Sequence, residues 1–346
     1  MVMVGNKKRI LLIELAGIGD VVLSSPAIRN LDSNFPESLI YLLTLSGPAE
    51  LMRKSPYLDK VFTLGKGFRS LFPNIRAIYE LRKLHIDVVI SLYQHFSLGG
   101  AIKIALLLKF IKPSRTFGRN TDNKGFFYDV KLEDYRDSQL NEAENKLALI
   151  KLVGCNIKDK KLEIWFDDFD IKEVKEFFNV NSILDSDLLI GINPGAHRHS
   201  HRWGWDNFLK VAEALTERYR AKIIITGTKD ERWLAEKISL KMTDKPIISS
   251  GKLTVTQLIA LIKRCNLYIT NDTGPMHIAN ALGTSLVAIM GPGTMKTAPY
   301  QKENCIILRK EVECAPCYKF RCNDMKCLNL ITVDEVIEAC GKLLER

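Results

Sequence analysis

The chain has 346 residues, with 50 Lys and Arg against 40 Asp and Glu, a formal charge of +10, and 46% hydrophobic and 26% charged residues. That length exceeds one ordinary core and predicts two globular domains, and the composition excludes disordered, fibrous and collagen-like chains. No apolar run reaches the ~18–20 residues of a spanning helix, and Ile10 to Ile13 behind Lys7-Lys8-Arg9 is too short for a secretory leader, so a cytoplasmic protein is expected.

The first predicted element is a buried-type strand at Arg9 to Leu15. The turn Ala16-Gly17-Ile18-Gly19-Asp20 follows, then a helical pattern to Leu31 that Pro26 kinks or restarts after Ser25. Strands are predicted at Leu39–Leu43, Lys60–Leu64 and Asp87–Leu92, with helices at Ala49–Lys54, Ile75–Leu84 and Leu98–Ile111. The last of these carries Lys103 and Lys109 near one face, which fits an interfacial helix or a domain helix with solvated lysines. The rhythm breaks in the polar segment from Lys158 to Asp187 and restarts at Leu188 to Gly195. Strands are then predicted at Lys222–Thr226, Ile247–Ser249, Leu267–Thr270 and Ser285–Met290, and helices at Asn207–Tyr219, Asp230–Met242, Thr256–Arg264 and Met276–Leu282. Short apolar strands alternating with helices imply α/β parallel sheets covered on both faces. The expected architecture is two tandem Rossmann-like domains, residues 1–175 and 176–331, facing across a cleft, with ligands outside the carboxyl ends of the strands.

Charge is uneven. Residues 1–130 hold 18 Lys and Arg against 10 Asp and Glu, so +8 of the +10 lies there. Nucleic acid, an anionic membrane surface or a phosphorylated substrate would each suit that field, as would a merely solubilising surface. The basic residues are scattered and no nucleic-acid motif accompanies them, which argues against a nucleic-acid partner.

Four segments carry candidate chemistry. Asn271-Asp272-Thr273-Gly274-Pro275-Met276-His277 ends a strand and opens a helix, with Pro275 suited to the first helical position. The amides of Met276, His277 and Ile278 would meet an anion there, with Gly274 allowing close approach and Thr273 adding a hydroxyl; a well-capped structural helix is the alternative. Ala16 to Val22 fails the dinucleotide fingerprint, because its third glycine position is Val22. Asp20 then serves either as a base taking a proton from a hydroxyl or as a helix cap. The loop Asn193-Pro194-Gly195-Ala196 leads into His197 to Trp205, where three alternating histidines suit zinc poorly and His201 and Arg202 suit a diphosphate. Cys314, Cys317, Cys322 and Cys327 are spaced to meet at one point, either as a structural zinc site or as free thiols.

Together these motifs resemble glycosyltransferase family 9, the bacterial ADP-heptose:lipopolysaccharide heptosyltransferases. The likeness runs from Gly17-Ile-Gly-Asp-Val-Val-Leu-Ser-Ser-Pro, through Arg115-Thr-Phe-Gly and Asn193-Pro-Gly-Ala, to Asp272-Thr-Gly-Pro-Met-His and Gly291-Pro. The resemblance implies a GT-B fold with the acceptor on the first domain, the nucleotide sugar on the second, and the last helix, residues 332–346, packed back onto the first domain. It implies inverting transfer without a metal cofactor. Asp20 matches the general base, Thr273 and Gly274 the diphosphate contacts, Asp272 a sugar contact and Glu231 the ribose contact. Gly195, Pro275 and His277 belong to the same donor set. Where relatives carry a lysine this chain has His201, so the leaving diphosphate falls to Arg202, to a protonated His201 or to another residue. A phosphorylated, lipid-linked saccharide acceptor would meet Gly19, Arg69, Arg76, Arg115 and Arg119, with peripheral contact at the cytoplasmic face of an inner membrane. Phe68 to Phe72, which mixes aromatics with a cation, would touch acceptor or membrane or pack under a loop.

Overall fold

The computed structural model describes residues 7–135 and 138–346. The chain divides into two compact units, one ending at Trp165 and the next starting at Phe166. In the first, β1 (Arg9–Glu14), α1 (Ile18–Val22), α2 (Ser25–Asn34), β2 (Leu39–Leu45), α3 (Ser46–Met52), β3 (Lys60–Leu64), α4 (Leu71–Lys83) and β4 (Val88–Ser91) alternate as expected. They are followed by α5 (Leu98–Ile111), β5 (Arg115–Thr121), β6 (Val130–Asp134) and α6 (Glu142–Val153). The strands form one parallel sheet in the order β3-β2-β1-β4-β5-β6. β1 is buried from Ile10 onward, as a central strand of a sheet covered on both faces should be. The expected restart before Pro26 is real: α1 stops at Val22, and α2 begins at Ser25 with Pro26 in its first turn, where a missing N–H costs nothing.

The second unit runs α7 (Asp168–Val180), β7 (Leu189–Asn193), α8 (Trp205–Tyr219), β8 (Lys222–Ile225), α9 (Arg232–Lys241), β9 (Ile247–Ile248) and α10 (Val255–Arg264). It continues with β10 (Leu267–Asn271), α11 (Gly274–Leu282), β11 (Leu286–Met290), β12 (Cys305–Arg309), α12 (Lys326–Asn329) and α13 (Val333–Leu344). Its parallel sheet has the order β12-β11-β10-β7-β8-β9. Read from its other edge, that is the winding of the first sheet. The chain reverses direction between β1 and β4 in one unit and between β7 and β10 in the other. Loops at the carboxyl ends of those four strands therefore line the switch points where such sheets bind ligands.

One expectation is corrected. The division falls before α7 rather than at residue 175, because α7 joins the second unit: Asp167 caps it, and its buried Asp170 accepts a 2.7 Å hydrogen bond from Thr256 of α10. The last helix packs in the core of the second unit. Val336, Ala339, Cys340 and Leu343 form one apolar face, buried in the same core as Trp203, Phe208, Val287 and Ile289. Among the described residues, no helix is long and apolar enough to cross a membrane.

Candidate active site

In the second unit the site is built on Asn271, the fully buried last residue of β10. Its Nδ2 donates to the carbonyls of Pro194 (2.9 Å) and Gly195 (3.2 Å), while its Oδ1 accepts from the Trp203 amide at 3.0 Å. One side chain thus ties the end of β10 to the loop after β7 and to the turn that presents His201 and Arg202. The next residue, Asp272, places its Oδ2 3.2 Å from His201 Nδ1. Gly293 closes over this pair so tightly that an added Cβ would lie 2.2 Å from the Asp272 carboxylate.

Thr273 is the N-cap of α11 in extended backbone, and its side chain makes no capping hydrogen bond. The helix start is therefore not closed by its own side chain, as the structural-cap alternative requires. The helix begins at Gly274, with Pro275 in second place rather than first. The Met276 amide turns back to the Thr273 carbonyl at 3.0 Å, and that of Ile278 belongs to the helical ladder. Thr273 and Gly274 thus stand at the positive end of α11. His277 lies buried in the first turn.

Glu231 approaches from the loop after β8. Its Oε2 accepts from the Thr228 amide (3.1 Å) and hydroxyl (2.9 Å), a capping box that fixes the carboxylate. Gly195 is required at this point, since a Cβ there would meet Glu231 Oε1 at 2.4 Å. Arg202 donates from Nε to the Ala196 carbonyl at 2.9 Å and holds Nη2 3.6 Å from Glu231 Oε1. Gly195, His201, Arg202, Glu231, Asp272, Thr273 and Gly274 are therefore gathered as expected at the carboxyl end of one sheet. Lys296, a buried cation in the short turn after β11, lies on the same side and carried no signal in sequence beyond its type.

In the first unit, Asp20 sits in α1 beyond the carboxyl end of β1, with Gly19 beside it. Its Oδ2 accepts from the Gly17 amide at 3.2 Å, so the helix-capping role exists alongside any chemical one. Burial lifts the Asp20 carboxyl above the usual aspartate range; the Lys146 charge opposes that lift and the Glu142 charge adds to it. Lys146 is the residue the sequence reading missed. It is buried in α6, 2.8 Å from the equally buried Glu14, 2.9 Å from Ser24 Oγ, and hydrogen-bonded to the Asp20 carbonyl. A signal existed: Lys146 lies in step with Ala143, Leu147 and Ile150 on the apolar stripe of α6. Burial also raises Glu14, against the pull of Lys146. Next to them, burial and the charges of Glu14 and Asp20 raise the Tyr93 hydroxyl. The buried His95, 2.7 Å from the Tyr128 hydroxyl, is held down to about 4 by burial and then by the Arg119 charge.

The acceptor-side arginines are not brought together. Arg119 is fully buried and ion-paired with Asp134 at 2.6 Å and with Glu142, so it braces the sheet and α6 instead of meeting an acceptor. Arg115 starts β5, level with Val88 and Ile10, at the amino end of the strands, whereas Asp20 lies beyond their carboxyl end. Arg69 and Arg76 are exposed, on the turn before α4 and on α4 itself. Among the described residues, no three His, Cys, Asp or Glu are grouped to hold a metal ion. The Cys327 thiol is raised by burial and then by the charges of Cys314, Cys317 and Cys322.

Residues 76–328 match the family model described as Glycosyltransferase family 9 (heptosyltransferase). The chain is 27% identical to lipooligosaccharide heptosyltransferase 2 of Campylobacter jejuni strain 81116, over 94% of this chain and 96% of that protein. Its fold superposes with a TM-score of 0.85 on the family 9 glycosyltransferase from Veillonella parvula, at 25% identity, covering 100% of this chain and 99% of that one. On Escherichia coli heptosyltransferase WaaC with ADP-2-deoxy-2-fluoro heptose the TM-score is 0.71 at 15% identity, covering 96% and 99%. With two Rossmann-like parallel-sheet units of the GT-B class and a helix-start site built on Asp272 to Gly274, the chain belongs to glycosyltransferase family 9.

Proposed function

We propose that the chain is an inverting glycosyltransferase that moves heptose from ADP-heptose onto a phosphorylated lipopolysaccharide core saccharide. The observation that carries this reading is the helix start at Thr273 and Gly274, left without a side-chain cap and flanked by His201 and Arg202. Family membership, the name of the Campylobacter relative and the ligand of the Escherichia coli structure supply the sugar and the base.

Asp20 takes the proton of the acceptor hydroxyl as its oxygen bonds to the anomeric carbon. The bond from that carbon to the diphosphate oxygen breaks with its electron pair, and single displacement inverts the centre. Negative charge growing on the diphosphate meets the α11 dipole, the Gly274 amide and Arg202, a fixed electrostatic environment that performs the task a metal ion would otherwise perform. Asp272 contacts the sugar and Glu231 the ribose.

A nucleotide-release assay over a donor panel with a core-saccharide acceptor tests the reading, together with thermal shifts by ADP, UDP and GDP. Turnover with ADP-heptose and a larger shift with ADP are expected. Equal shifts with all three, or turnover with a different donor, would overturn the donor assignment.

A further inference from the structure

The first unit buries more charge than its fold requires. Glu14 at the end of β1, Arg119 on β5, Asp134 on β6, and Glu142 and Lys146 one turn apart on α6 are all buried. They form two sets joined by α6. Arg119 bridges Asp134 at 2.6 Å and Glu142, while Lys146 holds Glu14 at 2.8 Å. Buried ion pairs stabilise a fold no better than well-packed hydrocarbon of similar volume, so two such sets on one helix call for another role.

α6 brings both sets to Asp20. Lys146 Nζ donates to the Asp20 carbonyl and to Ser24 Oγ (2.9 Å), and that hydroxyl donates in turn to the Asp20 carbonyl at 2.9 Å. The backbone of Asp20 is thereby fastened to α6. Its carboxylate, which accepts from the Gly17 amide at 3.2 Å, is the member of the group that keeps access to solvent. Burial raises the proton affinity of that carboxyl, the Lys146 charge lowers it and the Glu142 charge raises it. The other groups on the elements around Asp20 are paired or neutral, or stand apart. Glu14 answers Lys146. Tyr93, whose amide donates to the Ile13 carbonyl at 3.2 Å, is raised by burial and by the charges of Glu14 and Asp20, and so stays neutral. Arg29 of α2 is paired with Asp159 (3.0 Å) and Glu163 (2.8 Å). α3, which packs against α1, carries Glu50 as its one titratable residue.

We propose that Glu142 and Lys146 are an opposed pair of positioning residues that sets the proton affinity of Asp20, Lys146 favouring the carboxylate and Glu142 the acid. The proposal rests on the reading of Asp20 as the base, and neither residue touches substrate: each acts through Asp20. Because both are partnered, removing either one uncovers a neighbour whose charge acts in the same sense. Without Lys146, the Glu14 carboxylate is uncompensated and disfavours a second anion at Asp20. Without Glu142, Arg119 keeps only Asp134, and its remaining charge favours the Asp20 carboxylate. The two losses therefore act in opposite directions, which loss of packing alone does not produce.

The test is a pair of pH titrations of the full chain carrying Glu142→Gln or Lys146→Gln. One follows the Asp20 carboxyl by NMR of aspartate-labelled protein, assigned with Asp20→Asn; the other follows the acid limb of kcat in the nucleotide-release assay. Glu142→Gln is expected to move both down by about one pH unit, and Lys146→Gln to move both up by about one pH unit. Glu142→Gln leaves Arg119 paired with Asp134 and no buried charge alone, so it stays folded and decides the question even where Lys146→Gln does not fold. The proposal is overturned if the Asp20 titration is unmoved in Glu142→Gln, or if it moves in the same direction in both variants. An Asp20 titration that moves as expected while kcat keeps the parent's pH profile upholds the proposal and overturns instead the reading of Asp20 as the base.

Discussion

Asp20 does two things with one carboxylate: its Oδ2 closes the short helix α1 on the Gly17 amide, and its buried surroundings raise its proton affinity. A base must be ionised to act, and a raised value means it is protonated earlier as pH falls. The acid limb of kcat should therefore lie above the ordinary aspartate range, with activity lost as pH drops through it. Asp20→Asn keeps the cap acceptor and removes the base. We expect kcat to fall about 10³-fold while ADP affinity, read by thermal shift or calorimetry, stays within a few-fold. Near-normal turnover in that variant would exclude Asp20 as the base and leave the cap as its whole role. Thr273 shows the reverse situation: it stands at the N-cap of α11 and its side chain does not cap the helix.

At the scale of elements, α6 connects Asp20 to the sheet. Glu14 at the end of β1 and Lys146 on α6 are both buried, and Lys146 also holds Ser24 and the Asp20 carbonyl. Removing one partner of a buried pair leaves an uncompensated charge, whereas replacing both with hydrocarbon need not. Lys146→Met should therefore destabilise the chain by roughly 3–5 kcal/mol in urea titration, and Glu14→Met added to it should return most of that loss. An additive double variant would mean the pair is not coupled. These residues explain why the acceptor side was only half legible. Asp20 stood out because a glycine turn after an apolar strand has a recognisable pattern, and β1 to β4 followed from the same alternation. Lys146 was hidden because a lysine on an apolar stripe reads as a break in the stripe, and its partner Glu14 lies 132 residues away. Arg119 was misread for a related reason: charge in a sequence suggests surface, and only the fold supplies Asp134 and Glu142 around it. The donor side was legible as a set because its motifs sit in the short loops that end strands, where local chemistry and position coincide.

Over the whole molecule, each unit owns a complete sheet with the same winding, and each places its candidate residues at the same kind of switch point. The second unit also owns α13 and the whole of α7, which a boundary at residue 175 would have cut. This assignment predicts that residues 166–346 expressed alone fold cooperatively and are stabilised by ADP. The same fragment ending at residue 332 should lose its cooperative transition, because Val336, Ala339, Cys340 and Leu343 leave the core and each large apolar truncation costs about 2–5 kcal/mol. Calorimetry of the two fragments decides, and a cooperative transition in the shorter one would return α13 to a peripheral role.

α13 has a further effect through Trp203. The indole Nε1 of that residue donates to the Ile331 carbonyl at 2.9 Å, just before α13, and its backbone amide is held by Asn271. Arg202 and His201 immediately precede it. The far end of α13 is anchored in turn, through Glu345 to Arg218 at 3.0 Å and to the Tyr219 hydroxyl at 2.8 Å. The segment that follows the last strand is thus a buttress for the turn that carries His201 and Arg202, so a fusion or tag that pries at Glu345 should first show as weakened nucleotide retention, before any loss of folded protein.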